Sequence, residues 1–270
     1  MHFCVSRVAS RRYLILLIAL LLASLTFIGC GSQSGQPAQA PPPLPPPIPA
    51  AEPVLLYNGT GASPNDVAAI EAVLHTQGIG YATADSGKLN GMSEAELAGY
   101  ELIIVPGGNS ITIGQSITTQ TTSAIRGAVT QYGTHYLGIC AGAFFGGYSI
   151  YNGVNLTGGV AFNFYADEFK GIHIEPVQIT RPSDDWLDVY WQDGPQLSGW
   201  GAVVAKFPDG TPAITEGQSG KGFVIFTGVH LEAPESWRGS MNFRTPVEVD
   251  LAYAGTVFQA ALNGTALPHF

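Results

Sequence analysis

The sequence predicts an α/β fold: a mainly parallel sheet with helices on both faces, and antiparallel strands in its second half. Three observations carry this. Between Val54 and Ile139 short apolar runs alternate with segments of helical spacing. Those runs are continuous rather than alternating, as in strands buried on both faces. After His173, strand-like segments follow one another with few helices between them.

Val54-Leu55-Leu56-Tyr57 is the first strand, closed by Asn58-Gly59-Thr60-Gly61-Ala62-Ser63. Pro64 then suits a first helical turn with Ser63 as its cap. Val67, Ile70, Val73 and Leu74 keep helical spacing, and Gly78 ends the segment. Tyr81–Ala84 reads as a second strand and Leu102–Val105 as a third, running into Pro106-Gly107-Gly108. A helix near Thr122–Tyr132 stops at Gly133, and Tyr136–Ile139 is a fourth strand leading straight into Cys140. His173–Thr180, Leu187–Trp191, Ala202–Phe207, Pro212–Ile214 and Phe223–Thr227 read as further strands, and Val247–Leu262 as a last helix.

Composition narrows the function. Of 270 residues 46% are apolar and 11% charged, enough for a core and too little charge for a disordered chain. The net charge is −9, which excludes a basic face for phosphates, so no nucleic acid is expected as a partner. Residues 1–29 carry Arg7, Arg11 and Arg12 and no acidic residue. An uncharged run from Tyr13 to Ile28 follows, then Gly29-Cys30, the layout of a cleaved export signal. Its 16 residues at about 1.5 Å each are too short for a membrane span. Phe27-Ile28-Gly29-Cys30 resembles a bacterial lipobox, with Phe27 where leucine is usual. That resemblance implies lipidation of Cys30 by palmitate-type chains and a lipid membrane as partner. The domain would then lie outside the cytoplasm in a bacterial cell envelope. Ser10-Arg11-Arg12 is half of a twin-arginine signal. Residues 30–53 hold nine of the 19 prolines and read as an extended linker, leaving 54–270 as the folded domain.

Cys4 would leave with the signal and Cys30 would be lipidated, so Cys140 has no disulfide partner and no cysteine-based metal site is expected. A lone cysteine is most often a small buried hydrophobe. Here, however, Gly138-Ile139-Cys140-Ala141-Gly142 has the form Gly-x-nucleophile-x-Gly where a buried strand meets a helix. The helix start offers N–H groups and a positive dipole to a thiolate. A cysteine nucleophile needs a base. His2 leaves with the signal, His75 sits at the far end of a helix and His269 in the terminus. His135, five residues before Cys140 on one strand, is roughly 16 Å away. Two His-x-Glu pairs remain, His173-Ile174-Glu175 and His230-Leu231-Glu232, in which an extended chain turns both side chains the same way. His230 follows Phe223–Phe226 at a strand's carboxyl end, where α/β sheets place ligands, and position favours it.

The elbow, the Pro106-Gly107-Gly108 loop and Gly228-Val229-His230-Leu231-Glu232 resemble a class I glutamine amidotransferase domain, of flavodoxin-like fold. Leu55–Gly59, Val105–Gly108 and Tyr136–Phe145 are most similar to the N-terminal, amidotransferase-like domain of biotin–protein ligases, which also occurs as a free-standing bacterial protein. The resemblance implies Cys140 as nucleophile, His230 as base, Glu232 as its orienting acid, and Gly108 and Ala141 as oxyanion donors, with no cofactor and no metal. The partner implied is a small-molecule or peptide amide, attacked through a cysteinyl acyl-enzyme. No biotin-ligase catalytic domain and no ammonia-accepting synthetase domain follow, so biotin ligation is not expected. Two rivals stand beside this reading: a binding or scaffold protein that keeps the fold without turnover, and a nucleotide site at Gly59-Thr60-Gly61 with Asp85. The second lacks its third glycine, since Pro64 stands there.

Overall fold

The computed structural model describes residues 42–239 and 241–270. The segment read as an export signal, and Cys30, lie outside them. Among the described residues no helix is long and apolar enough to cross a membrane.

The first half is built by alternation. β1 (Val54–Tyr57), α1 (Pro64–Thr76), β2 (Tyr81–Ala84), α2 (Ser86–Gly91), α3 (Glu94–Leu97), β3 (Leu102–Val105), α4 (Ser110–Ser116), α5 (Thr119–Gly127) and β4 (His135–Ile139) follow in order. α6 (Ala141–Gly146) closes the series. Helix starts are fixed by side-chain caps at Ser63, Asp85, Ser93, Asn109 and Thr118. Ser93 and Glu96 form a reciprocal capping box. α5 continues as a π-helical turn, Ala128–Tyr132, which Gly133 ends with φ 103°.

The second half adds β5 (Asn163–Phe164), β6 (Ile174–Thr180), β7 (Trp186–Gln192), β8 (Pro195–Gln196), β9 (Ala202–Lys206), β10 (Pro212–Ser219) and β11 (Gly222–Thr227). The helices α7 (Glu235–Arg238) and α8 (Val247–Asn263) complete it. Nine strands form one sheet in the order β2-β1-β3-β4-β11-β10-β9-β6-β7, and β5 pairs with β8 in a second. The pairs from β2 to β11 are parallel and those from β11 to β7 antiparallel. This is the α/β arrangement, with the antiparallel second half, that the alternation predicts.

Successive strand residues point to opposite faces, and the core divides accordingly. Val54, Leu56, Leu102, Ile104, Leu137 and Ile139 face α1 and α8. Leu55, Tyr57, Ile103, Val105 and Tyr136 face α5 and α6. Both layers are fully buried, which explains why the strands read as unbroken apolar runs. The carboxyl ends of β1, β3, β4 and β11 therefore meet at one edge, and the candidate residues gather there.

Candidate active site

Cys140 stands where β4 turns into α6, with φ 50° and ψ −105°. A side chain in that region costs about 1–3 kcal/mol unless its surroundings fix it. Glycines make the fixing possible. A Cβ on Gly138 would lie 2.5 Å from the Gly142 carbonyl oxygen, and one on Gly142 would strike the Val105 carbonyl. The Cys140 N–H donates to the Thr227 carbonyl at 2.8 Å, tying the elbow to the end of β11. The thiol donates to the Gln192 carbonyl at 3.5 Å. α6 has only six residues, so its dipole is short. The charges that matter at this cysteine come from side chains.

β11 delivers His230 three residues beyond its end. Gly228 permits the path, since a Cβ there would strike the Pro195 carbonyl. The His230 N–H donates to the Tyr190 carbonyl at 2.9 Å. The ring is held edge-on by Tyr190 and Trp237, each with its centroid 5.8 Å away, and the residue is only 4% exposed. Nδ1 lies 2.9 Å from Glu232 Oε1 and 3.0 Å from Asp66 Oδ1. It carries a single hydrogen, which Glu232 receives. Asp66 Oδ1 and Glu232 Oε2 are left buried without a donor. With Nδ1 committed to the carboxylates, Nε2 is the nitrogen that remains for the Cys140 thiol.

Burial opposes a charge on this ring, but the Cys140 sulfur, Glu232 and Asp66 together outweigh it, and the His230 pKa lies well above its ordinary value. Burial also raises Asp66, yet His230 and Ser63 prevail and hold that carboxyl below its usual range. For Glu232 burial prevails over the attraction of His230, and its pKa is raised. The two carboxyls at one nitrogen thus differ: Asp66 favours the charged form and Glu232 resists it.

The sequence reading groups Cys140, His230 and Glu232. In the structure Glu232 sits on His230 Nδ1, the Cys140 sulfur is near enough to act on the ring's charge, and the thiol's own hydrogen bond goes to the Gln192 carbonyl. The sequence reading overlooks Asp66, which reaches the site from the first turn of α1. The signal available was an acidic residue at a helix start, which the helix dipole alone would explain. The loop of Gly107 and Gly108 joins the same cluster. A Cβ on Gly107 would strike Asp66 Oδ1 and lie 2.7 Å from His230 Cε1. Ala62 and Gly108 form a bridge in which Ser63 donates to the Gly107 carbonyl and Asn109 to the Gly61 carbonyl. The Gly108 N–H is outside that pairing. Ala141, the first residue of α6, has an N–H with no partner earlier in its helix.

His173 is elsewhere. It precedes β6 by one residue, its side chain is 58% exposed, and Nδ1 meets Asp193 at 2.9 Å and Glu168 at 3.1 Å rather than Glu175. Glu175 is raised to about 7 by burial and by Asp167 beside it. His135 Nδ1 accepts from the Phe223 N–H at 2.9 Å. At the rival nucleotide site Asp85 caps α2, and Ser86 and Ser116 fill the Gly59–Gly61 loop through Tyr57 and Thr60. Asp66, His230 and Glu232, and also Glu168, His173 and Asp193, have donor atoms within 4.8 Å of one another. Geometrically either trio could hold a cation. In the first, a cation would take the nitrogen that orients the ring.

Sheet order and elbow give the flavodoxin-like α/β fold that class I glutamine amidotransferases share. Residues 52–175, under half of the chain, match the family described as "Biotin-protein ligase, N terminal". Among solved structures, a glutamine amidotransferase is 20% identical over 67% of this chain and 90% of its own, with a TM-score of 0.52. PurLQS from Thermotoga maritima is 15% identical over 77% of this chain and 99% of that one, with a TM-score of 0.53. At such identities the likeness establishes the fold. No curated protein matches the chain.

Proposed function

We propose that this protein is a membrane-anchored cysteine amidohydrolase. The observation that carries the reading is the buried His230 ring, with two carboxyls at Nδ1 and the Cys140 sulfur acting on its charge, beside the elbow of an amidotransferase-like fold. His230 takes the thiol proton, and the sulfur attacks an amide carbonyl carbon, forming a C–S bond. The N–H groups of Gly108 and Ala141 hold the oxyanion. The C–N bond then breaks, with the His230 proton passing to the leaving amine. Water, deprotonated by the same ring, attacks the thioester carbonyl; the C–S bond breaks, the carboxylic acid leaves, and the ring's proton returns to the sulfur. Glu232 and Asp66 hold the ring's orientation and stabilise its charge.

Incubation with a p-nitrophenyl ester should add one acyl group to Cys140 by intact mass, and Cys140→Ala should take up none. Hydrolysis of that adduct, and turnover across a panel of amides, distinguish an enzyme from a scaffold that keeps the elbow. A chain that is never acylated ends the catalytic reading.

The anchor rests on the lipobox-like Phe27–Cys30 segment and the basic and apolar run before it. Acyl chains contribute about 0.8 kcal/mol per buried CH₂, so two or more hold a protein at a bilayer. Cys30→Ala should abolish incorporation of labelled palmitate and leave an uncleaved precursor or a released domain. Unchanged labelling in that variant would refute the anchor.

A further inference from the structure

The machinery proposed above leaves unused a cavity of about 280 Å³ whose walls include Ser110, Ile111, Phe144, Tyr148, Phe162 and Phe164. Two of these walls are carried by the elements that also carry the site. Phe144 is four residues, one helical turn, beyond Cys140, and Ser110 and Ile111 follow the oxyanion loop directly after Asn109. Phe144 and Phe164 pack with centroids 5.0 Å apart. Phe164 in turn pairs with Pro195, three residues from the Gln192 carbonyl that receives the thiol.

The lining has a distinct chemistry. No charged residue contributes to it, and its polar groups are hydroxyls of serine and tyrosine. Five large apolar side chains on these walls, Ile111, Tyr148, Ile150, Tyr151 and Phe164, are exposed, Ile150 by 78%. Exposed apolar residues are ordinary when scattered; gathered around one cavity on the helix that the elbow opens, they mark a binding surface. The volume lies just under the roughly 300 Å³ at which sites for whole small molecules begin. It suits one ring-sized group of a larger substrate.

We infer that this cavity is the specificity pocket of the site, and that it takes an aromatic or similarly bulky apolar group flanking the scissile amide. The inference rests on the reading of Cys140 as nucleophile and adds the substrate class: amides with an apolar ring-sized substituent, in preference to small polar amides.

Two neutral chloroacetamides test it, one carrying N-benzyl and one N-carbamoylmethyl, with rates normalised to glutathione. In each, Cys140 sulfur displaces chloride as a C–S bond forms, and mass of the proteolytic peptide that contains Cys140, taken from the full chain, reports the rate. Benzyl should label the native chain about tenfold faster, the effect of partly burying one ring in a half-open cavity. Ile111→Ser and Phe164→Ser should bring the ratio down toward one. Unreactive N-benzylacetamide should slow benzyl labelling competitively, a readout that needs no variant. Fast but equal labelling by both probes overturns the pocket and leaves the nucleophile standing, and is also the result if the patch serves only to meet a membrane. Labelling by both no faster than glutathione overturns the nucleophile reading, and the pocket with it. A native preference that survives in both folded variants overturns the assignment of the pocket.

Discussion

His230→Gln should slow acylation of Cys140 by about a hundredfold or more, the range in which a positioned proton acceptor contributes. Glutamine cannot take the thiol proton, and it fills a similar volume between Tyr190 and Trp237. The loss should therefore lie in chemistry rather than in packing. A second effect accompanies it. In the native chain the ring partners two buried carboxyls, Asp66 and Glu232. Removing one member of a buried charged group costs about 3–5 kcal/mol, because the remaining charge has no partner. Asp66→Asn in the His230→Gln background should restore part of that stability while restoring none of the acylation rate. Intact mass follows the rate and urea unfolding follows stability. An acylation rate within twofold of native in His230→Gln would remove His230 from the mechanism, whatever the melting behaviour.

The parts of this site that could be read from the sequence are those confined to a few consecutive residues. Gly138-Ile139-Cys140-Ala141-Gly142 announces the elbow because both glycines sit where a Cβ would clash, Gly138 against Gly142 inside the turn and Gly142 against Val105 of β3. His230 and Glu232 were readable as a pair from their two-residue spacing, although Leu231 and Glu232 form a turn rather than extended chain. Asp66 was not, since only the closure of β1 against β3 brings α1 to His230, and nothing within α1 records that. Element limits followed the same rule. The strand expected at Pro212–Ile214 runs on to Ser219, because β11 supplies pairing partners through Gly222 that Thr215–Ser219 do not advertise. The helix expected at Thr122–Tyr132 begins earlier, at the Thr118 cap, and finishes as a π-turn. α2, α3 and α4 were missed: four to seven residues long, they are too brief for helical periodicity to show.

Asp66→Asn should change stability in a pH window that identifies its partner. The His230 pKa is raised on folding, so the stability drawn from its charged form is fully present below the unfolded value, about 6.5, and is lost as pH rises through the folded value. The Asp66 pKa is lowered, so its contribution is present above the unfolded value, about 3.9, and is lost as pH falls through the folded value. Their mutual contribution is therefore full between about pH 4 and 6.5 and declines on both sides. Within that window Asp66→Asn should cost about 1–3 kcal/mol, since it removes a buried carboxylate 3.0 Å from the charged ring. A few degrees of melting temperature per kcal/mol make this measurable. The gap between native and variant melting temperatures should close as pH rises past the folded His230 value. Asn also withdraws a charge that favours the imidazolium, so the variant should lose the ring's proton at lower pH. NMR titration of His230 reports that shift directly. A constant gap from pH 4 to 10, with an unmoved titration, would show that Asp66 serves only the packing of α1. A gap that closes with the ring's proton would establish that the β1–α1 turn holds the histidine that Cys140 needs.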